Sequence, residues 1–134
     1  MRYRRSGYRY AMVVRSAQAL AFGERWPSEQ LRFLLQGCWA PDADAYETAG
    51  SVEVVVDLAG VDEDDVEVHL FEDAVVVEGR RRLPAHDEAV VYHLAGIRQG
   101  QFRLEVPLPA AVDSDRVEAR YERGLLRITL PKRA

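Results

Sequence analysis

SVEVVVDL, residues 51–58, places one apolar face and one charged face on a segment with a two-residue period. The apolar side chains of the first face are Val52, Val54, Val56 and Leu58. Glu53 and Asp57 fall on the opposite face. Because successive side chains of a β-strand point to opposite sides of its sheet, this stretch predicts a strand that is buried on one face only.

The same period returns in five later segments. They are DVEVHLF (65–71), AVVVEG (74–79), GQFRLEVPLP (100–109), RVEARY (116–121) and LLRITL (125–130). Gly60, the acidic run at 62–65 and other glycine, proline and aspartate clusters separate them as turns. Six short strands with no helix-length segment between them predict an all-β, antiparallel sandwich, since a parallel sheet would need long crossover connections.

Residues 1–43 lack this period and are predicted to form an N-terminal arm, with the sandwich domain over residues 44–134. Residues 16–22 and 27–36 are the parts of the arm that favour short amphipathic helices, and Ser28 can cap the second one. The remainder of the arm is expected to be irregular or disordered. Such short pieces cannot form a core alone and must dock on another surface.

The charge of the chain is divided between its two regions. Residues 1–32 contain seven arginines and two glutamates, a net charge of +5, whereas the remaining residues contain 11 basic and 20 acidic side chains, a net charge of −9. A basic arm on an acidic body favours attraction between subunits, or to another polyanion. The first 23 residues, with five arginines and no acid, leave a mitochondrial presequence open as a minority alternative.

The chain carries no motif that predicts a metal site or an enzyme. His69, His86 and His93 are scattered, and none has the spacing of a zinc site. The acidic turn at 62–65 lacks the glycine and distal glutamate of a calcium loop, so a solvated turn is the favoured interpretation. No nucleophile elbow, Walker loop or dinucleotide fingerprint is present. We therefore expect no catalytic residues, no metal and no cofactor.

Cys38 is the single cysteine of the chain, which excludes an internal disulfide framework and favours a reducing compartment, the cytoplasm. We interpret it as a small hydrophobic side chain rather than a reactive thiol. No apolar run approaches the roughly 18 residues of a membrane-spanning helix, so no membrane partner is expected.

Residues 44–79 contain Leu58-Ala59-Gly60-Val61 and Val75-x-Val77-x-Gly79, and residues 119–126 read ARYERGLL. In this order they resemble the α-crystallin domain of small heat-shock proteins, over residues 44–132. The ARYERGLL segment matches the family pattern Ala-x-x-x-x-Gly-[Val/Leu]-Leu. The motif positions carried by the resemblance are Gly60, Gly79, Gly100, Phe102, Gly124, Leu125 and Leu126.

The resemblance implies an immunoglobulin-like sandwich and an ATP-independent stress-response chaperone that binds partly unfolded clients and prevents their aggregation. In the family, a groove between two strands takes an Ile-x-Ile tail from another subunit. By alignment, the side chains lining this groove are Val66, Val68, Leu70, Val117 and Ala119. The alternative is that each is an ordinary core residue. Because no tail follows Pro131, we expect an empty groove and small assemblies.

The resemblance also implies a homodimer. In bacterial and plant relatives the long segment between residues 79 and 102 carries a strand, here residues 90–94, that pairs with a partner's sheet. This chain has Ala95-Gly96-Ile97 where relatives commonly carry Ser-Glu-Arg, and Leu104 where they carry an arginine, so an apolar seam is expected in place of ion pairs. The predicted interface residues are Val90, Val91, Tyr92, Leu94, Ile97 and Leu104.

Client binding is expected to rest on apolar side chains of the arm together with the groove. These side chains are Phe22, Trp26, Leu31, Phe33, Leu34, Leu35 and Trp39. Two alternatives remain open. The first is an adaptor that docks one fixed partner or a longer paralogue's Ile-x-Ile tail. The second is nucleic-acid binding by the arginine and tyrosine residues of positions 1–10, which we favour less than an arm that contacts clients or an acidic neighbour.

Overall fold

The computed structural model describes residues 1–10 and 38–134, and this part of the chain forms two four-stranded β-sheets. The first sheet has the order β1-β4-β5-β6 and the second has the order β2-β3-β8-β7. The strands are β1 (Arg2–Arg5), β2 (Ala43–Glu47), β3 (Ser51–Asp57), β4 (Val66–Leu70), β5 (Ala74–Arg81), β6 (Gly100–Pro107), β7 (Glu118–Glu122) and β8 (Leu125–Pro131). A 3₁₀ turn at Glu63–Asp65 leads into β4. The predicted helices at 16–22 and 27–36 lie outside the described residues.

The predicted antiparallel sandwich is confirmed, and the six alternating segments correspond to β3 through β8. Their predicted inward faces form one core between the sheets. The inward side chains with almost no exposure are Val52, Val54, Val56, Leu58, Val66, Val68, Leu70, Val75, Val77, Phe102, Leu126, Ile128 and Leu130. Burial of this apolar area, at about 25 cal/mol per Å², is the main favourable contribution to folding.

The turn between β7 and β8 also connects the second sheet to the turn at residues 58–61. Arg123 and Gly124 have φ angles of 53° and 77°, so the turn requires the left-handed conformation that glycine adopts without strain. The backbone N–H of Leu58 donates to the carbonyl of Gly124 at 2.7 Å. The Tyr121 hydroxyl lies 2.5 Å from the Leu58 carbonyl and 2.8 Å from the Val61 carbonyl. The tight turn expected at Gly124 is therefore present and is packed in place.

The strand β1 differs from the sequence expectation. Residues 1–10 show no two-residue hydrophobic period, yet Arg2–Arg5 pair with β4 in parallel and extend the first sheet. The pairing depends on backbone hydrogen bonds at a sheet edge, and these bonds need no alternation of side chains. The arm therefore contributes a strand to the sandwich.

Candidate functional site

The outer edge of β4 is the edge at which a strand from another chain was expected. In the structure it is paired with β1, in a parallel register that runs from Arg2 opposite Glu67 to Arg5 opposite Leu70. The contact continues past the strands, since the N–H of Ser6 donates to the Leu70 carbonyl at 2.8 Å. The β4 edge was expected to be open. In the structure it is instead covered by this chain's own N-terminal residues.

The predicted groove residues divide between full and partial burial. Val66, Val68 and Leu70 belong to the core and are at most 2% exposed. Val117 and Ala119 are half-buried and pack against the same core, as does Met1. The core alternative therefore describes the three β4 residues, and a tail-binding role for the set remains a prediction.

Arginine side chains of β1 pair with one carboxylate on the first sheet and with one carboxylate next to the second sheet. The Arg4 guanidinium forms an ion pair with Glu67 on β4. Arg5 donates to the Asp115 carboxylate at 2.6 Å and to the Ser114 hydroxyl at 3.3 Å, in the segment that precedes β7. The basic arm thus contacts the acidic body of its own chain. These pairs favour the arm-to-body interpretation of the arginines over nucleic-acid binding.

An open cleft adjoins the end of β1. It has a volume of about 550 Å³, and its walls come from the 5–7 and 70–72 segments on one side and from 111–114 and Arg133 on the other. The cleft lies between the two sheets at the edge where β1 ends.

Tyr10 covers the outer face of the first sheet, the face directed away from the sandwich core. Its ring meets the Phe71 ring edge-on, with centroids 5.0 Å apart, and its backbone N–H donates to Asp73 Oδ1 at 2.6 Å. This face was expected to be solvated, because its side chains alternate with the core residues. The outward side chains that are buried instead are His69, Ala74, Val76 and Glu78.

Arg103 is the centre of a polar network on this outer face. Its guanidinium donates to Glu78 Oε1 at 2.7 Å and to Glu105 Oε1 at 3.1 Å, and also to the Tyr10 hydroxyl. Burial raises the pKa of the Glu78 carboxyl, and the nearby Arg103 charge opposes this rise. Each charged group has a partner of opposite charge, as a buried polar cluster requires.

The exposed apolar side chains of the described residues concentrate in the segment between β5 and β6. Val91, Leu94 and Ile97 are 82%, 87% and 67% exposed, and Val90 and Tyr92 are also exposed. Residues 90–94 form no strand in the single chain, so their predicted pairing with a partner sheet remains a prediction. Leu104, assigned to the same apolar seam, is instead half-buried and packs against the core.

Trp39 is the one predicted client-contact residue of the arm that the structure describes. Its ring packs on Phe102 with centroids 5.4 Å apart, and its Nε1 donates to the Gly100 carbonyl at 3.2 Å. The Arg81 guanidinium lies over the same ring, 4.6 Å from its centroid. Trp39 therefore pairs with the edge of β6. Its ring packs against the core and is not free to contact a client. The remaining predicted client-contact residues lie outside the described part.

No group of three or more potential metal ligands occurs in residues 1–10 and 38–134. Cys38 is half-buried, and burial raises the pKa of its thiol. Within the same residues, no helix combines the length and the apolarity that crossing a membrane requires.

Comparison with known proteins identifies one family. The Hsp20/alpha crystallin family profile matches residues 44–134. Heat shock protein 16 of Schizosaccharomyces pombe is 33% identical over 107 residues, which are 78% of this chain and 75% of that protein. The probable 15 kDa heat shock protein of Leptospira interrogans is 32% identical over 110 residues, which are 82% of this chain and 79% of that protein. Small heat shock protein C2 of Rickettsia felis is 28% identical, and this chain spans only 60% of its length.

Solved structures agree with this result. The structure of heat shock protein 16.0 from S. pombe superposes with a TM-score of 0.64 at 34% identity, covering 69% of this chain and 86% of that one. A small heat-shock protein from Xylella fastidiosa gives a TM-score of 0.64 at 28% identity, covering 73% of this chain and 90% of that one.

Proposed function

Since the chain belongs to the Hsp20/alpha crystallin family, we propose that it is an ATP-independent chaperone that holds partly unfolded proteins and prevents their aggregation. The observation that carries the proposal is the match of this family over the whole segment from 44 to 134, which contains strands β3 through β8 and all of β2 except Ala43. The mechanism consists of binding without turnover, so it needs no catalytic group and no cofactor.

The physical basis of client binding is the capture of apolar surface and of unpaired strand edges. An exposed strand edge presents N–H and C=O groups that an added strand can pair with. All five residues of the edge strand β2 are exposed. The pairing of β1 with β4 is an instance of strand addition at an edge of this sandwich. Apolar residues of the arm supply the remaining client surface in this proposal.

We further propose that the chain forms a homodimer in which residues 90–94 pair with the β2 edge of a partner. Support comes from the exposed side chains of Val91 and Leu94, because soluble monomers rarely leave large contiguous apolar patches uncovered. An exchanged strand would cover this segment and an open sheet edge together, in a two-fold arrangement.

We place the protein in the cytoplasm. The half-buried Cys38 is the single cysteine of the sequence, which suits a compartment where thiols remain reduced.

The direct test is the light scattering of a heat-labile reporter enzyme, heated without nucleotide in the presence and absence of the full chain. We expect the scattering amplitude to fall by at least half at an equimolar ratio of chain to reporter. Serum albumin at the same mass concentration is the control and should leave the amplitude unchanged. Unchanged aggregation with the full chain at this ratio would contradict the proposal.

The adaptor alternative is less well supported, because docking a paralogue's tail requires a β4 edge that β1 occupies here. Affinity capture from a heated lysate separates the two functions. A broad client set that grows with temperature supports the chaperone, whereas one stoichiometric partner at all temperatures supports the adaptor.

A further inference from the structure

His69 lies on β4, between β1 and β5, on the outer face of the first sheet. Its register partners are Arg4 on β1 and Val76 on β5, so it has a guanidinium on one side and an apolar side chain on the other. Its ring lies 4.1 Å from the Phe71 ring, and the residue is 8% exposed. These surroundings favour the neutral imidazole, because burial and a neighbouring positive charge both oppose protonation.

Residues 1–10 supply part of these surroundings, and we call them the N-terminal cover. Its strand β1 brings Arg4 beside His69. At the other end of the cover, the Tyr10 ring meets the Phe71 ring edge-on, with centroids 5.0 Å apart, and this is the same Phe71 ring that His69 contacts. The cover therefore contributes both a positive charge and an aromatic ring to the cluster that contains His69.

The carboxylates on the strands that flank His69, and in the turn after β4, already pair with arginines. The pairs are Arg4 with Glu67, Arg9 with Asp73, and Arg103 with both Glu78 and Glu105. Arg2, the register partner of Glu67 on β1, is a further positive charge on this side. A proton on His69 would therefore add a charge to a set whose acids are already held by arginines, and Arg4 and Arg103 would repel it.

The N-terminal cover is the part of this face that can separate while the core stays folded. It pairs with β4 over four residues at a sheet edge. Its Arg5 and Arg9 side chains are 56% and 66% exposed in their ion pairs, and pairs between exposed side chains contribute little to stability. Strands β4, β5 and β6, by contrast, each bury one face in the core between the sheets. Local opening of a fold is drawn from such weakly held segments.

We propose that protonation of His69 releases residues 1–10 from the first sheet, so that the N-terminal cover is an acid-sensitive switch. Release removes the Arg4 guanidinium from the neighbourhood of the ring and admits water to it, and both changes stabilise the imidazolium. It also uncovers the Phe71 ring on the outer face of the sheet. The switch operates in the folded chain alone and requires no client.

The pKa of His69 in the two states sets the pH range and the size of the response. Burial, together with Arg4 and Arg103, lowers this pKa from 6.5 to about 4 in the closed state. The closed state resists the proton, so it loses stability relative to the open state as the pH falls below 6.5. When release restores the pKa to 6.5, the ratio of open to closed chains rises about tenfold between pH 7.5 and 5.5. Exposed carboxyl groups ordinarily titrate near pH 4, below this range.

Hydrogen exchange of the full chain measures release directly. Exchange rates at pH 7.5 and 5.5 are divided by the intrinsic rates to give the protection of each amide. The protection in residues 1–10, which include the Ser6 N–H that donates to the Leu70 carbonyl at 2.8 Å, should fall about tenfold on acidification, while that of β8 stays constant. H69Q should abolish the fall, whereas H93Q, in an exposed loop, should retain it. An equal fall in H69Q and in the unmodified chain would overturn the proposal.

The variant E78Q distinguishes the histidine from the buried carboxyl group on the same face. Burial raises the pKa of Glu78, with Arg103 opposing the rise, so this carboxyl group is the competing proton acceptor. The protection of residues 1–10 should still fall about tenfold in E78Q. A fall that disappears in E78Q and persists in H69Q would assign the response to the carboxyl group and refute a switch at His69.

An NMR titration of the imidazole tests the same coupling without replacing His69. Because release and protonation are linked, variants that loosen the N-terminal cover must raise the pKa of His69. R4Q/Y10A should therefore increase the proton affinity of this imidazole about tenfold or more. R127Q/Y46A makes the same two changes at exposed positions of the second sheet and should leave the affinity unchanged. Equal values in R4Q/Y10A and in the unmodified chain would contradict the coupling. None of these measurements uses a client, so their outcome is independent of the aggregation test.

Discussion

His69 is a basic side chain that the fold keeps uncharged near neutral pH. It projects from β4 on the outer face, is 8% exposed, and its ring lies 4.1 Å from the Phe71 ring. Burial, together with the positive charges of Arg4 and Arg103, lowers the pKa of the imidazole from 6.5 to about 4. Protonation is therefore resisted in the folded chain and is free in the unfolded chain.

The H69Q variant tests the effect of this depressed pKa on stability. Between pH 6.5 and about 4 the unfolded chain binds a proton at position 69 that the folded chain does not, so stability falls with falling pH in this window. Glutamine does not titrate, so H69Q lacks this contribution to the pH dependence. The free energy of unfolding of H69Q should therefore increase relative to that of the unmodified chain as the pH falls. Urea titrations at pH 7, 6, 5 and 4 measure the difference. Parallel pH profiles would contradict the assignment, and H93Q at an exposed loop position is the control.

At the level of strands and turns, Gly79 marks the point where β5 passes closest to its neighbours. A Cβ atom at this position would lie 2.1 Å from the backbone carbonyl oxygen of Asp65 and 2.6 Å from Cζ of Phe102. Phe102 is the register partner of Gly79 on β6, and it has no solvent exposure. The glycine therefore makes room for the fully buried Phe102 ring and for the 3₁₀ turn that leads into β4.

We expect G79A to destabilise the sandwich. Neither the Asp65 backbone nor the fully packed Phe102 ring can move without cost, and overpacking of this kind costs about 1–3 kcal/mol. G96A is the matched control, because a Cβ there meets nothing within 4 Å. Thermal unfolding of both variants measures the effect, with G96A within about 0.5 kcal/mol of the unmodified chain. Equal stability of the two variants would show that the close approach is not a constraint.

A difference in what holds each strand explains which strands could be predicted from the sequence. Strands β3 to β8 followed from hydrophobic alternation, because each buries one face in a shared core. Strand β1 did not, because its partners are the edge of β4 and isolated carboxylates such as Glu67 and Asp115, which lie far from it in sequence. The available signal was the arginine excess of residues 1–10 beside an acidic body. It indicated that the arm is attracted to the body, but it did not indicate where the arm binds.

At the scale of the whole molecule, the surfaces that stay exposed after folding determine where other chains can bind. The sandwich leaves the β2 edge and the apolar side chains of the segment between β5 and β6 exposed, while it covers the β4 edge and part of the outer face. A single chain therefore has the β4 edge covered by its own residues and the β2 edge exposed. This asymmetry favours assembly through β2 and residues 90–94.

The double variant V91D/L94D should abolish the proposed dimer. Both side chains are more than 80% exposed in the single chain, so the substitutions leave the core intact while charging the segment that would be buried between subunits. Sedimentation equilibrium at about 1–50 μM, a span that covers micromolar dissociation constants, should give a dimer for the unmodified chain and a monomer for the variant. A85D/A89D adds the same charge within the same exposed loop and should remain dimeric. A dimeric V91D/L94D would place the interface elsewhere.

The sequence by itself determined the two-sheet architecture, the direction in which each of the strands β3 to β8 faces, and the turn at Gly124. These features depend on local rules, namely the period of two and the conformational preference of glycine. The tertiary structure alone decided that the first ten residues cover the β4 edge, that Tyr10 and Arg103 bury part of the outer face of the first sheet, and that Trp39 packs against the core. Those features depend on contacts between residues up to about a hundred positions apart, and a periodic pattern in the sequence carries no information about which distant segments meet.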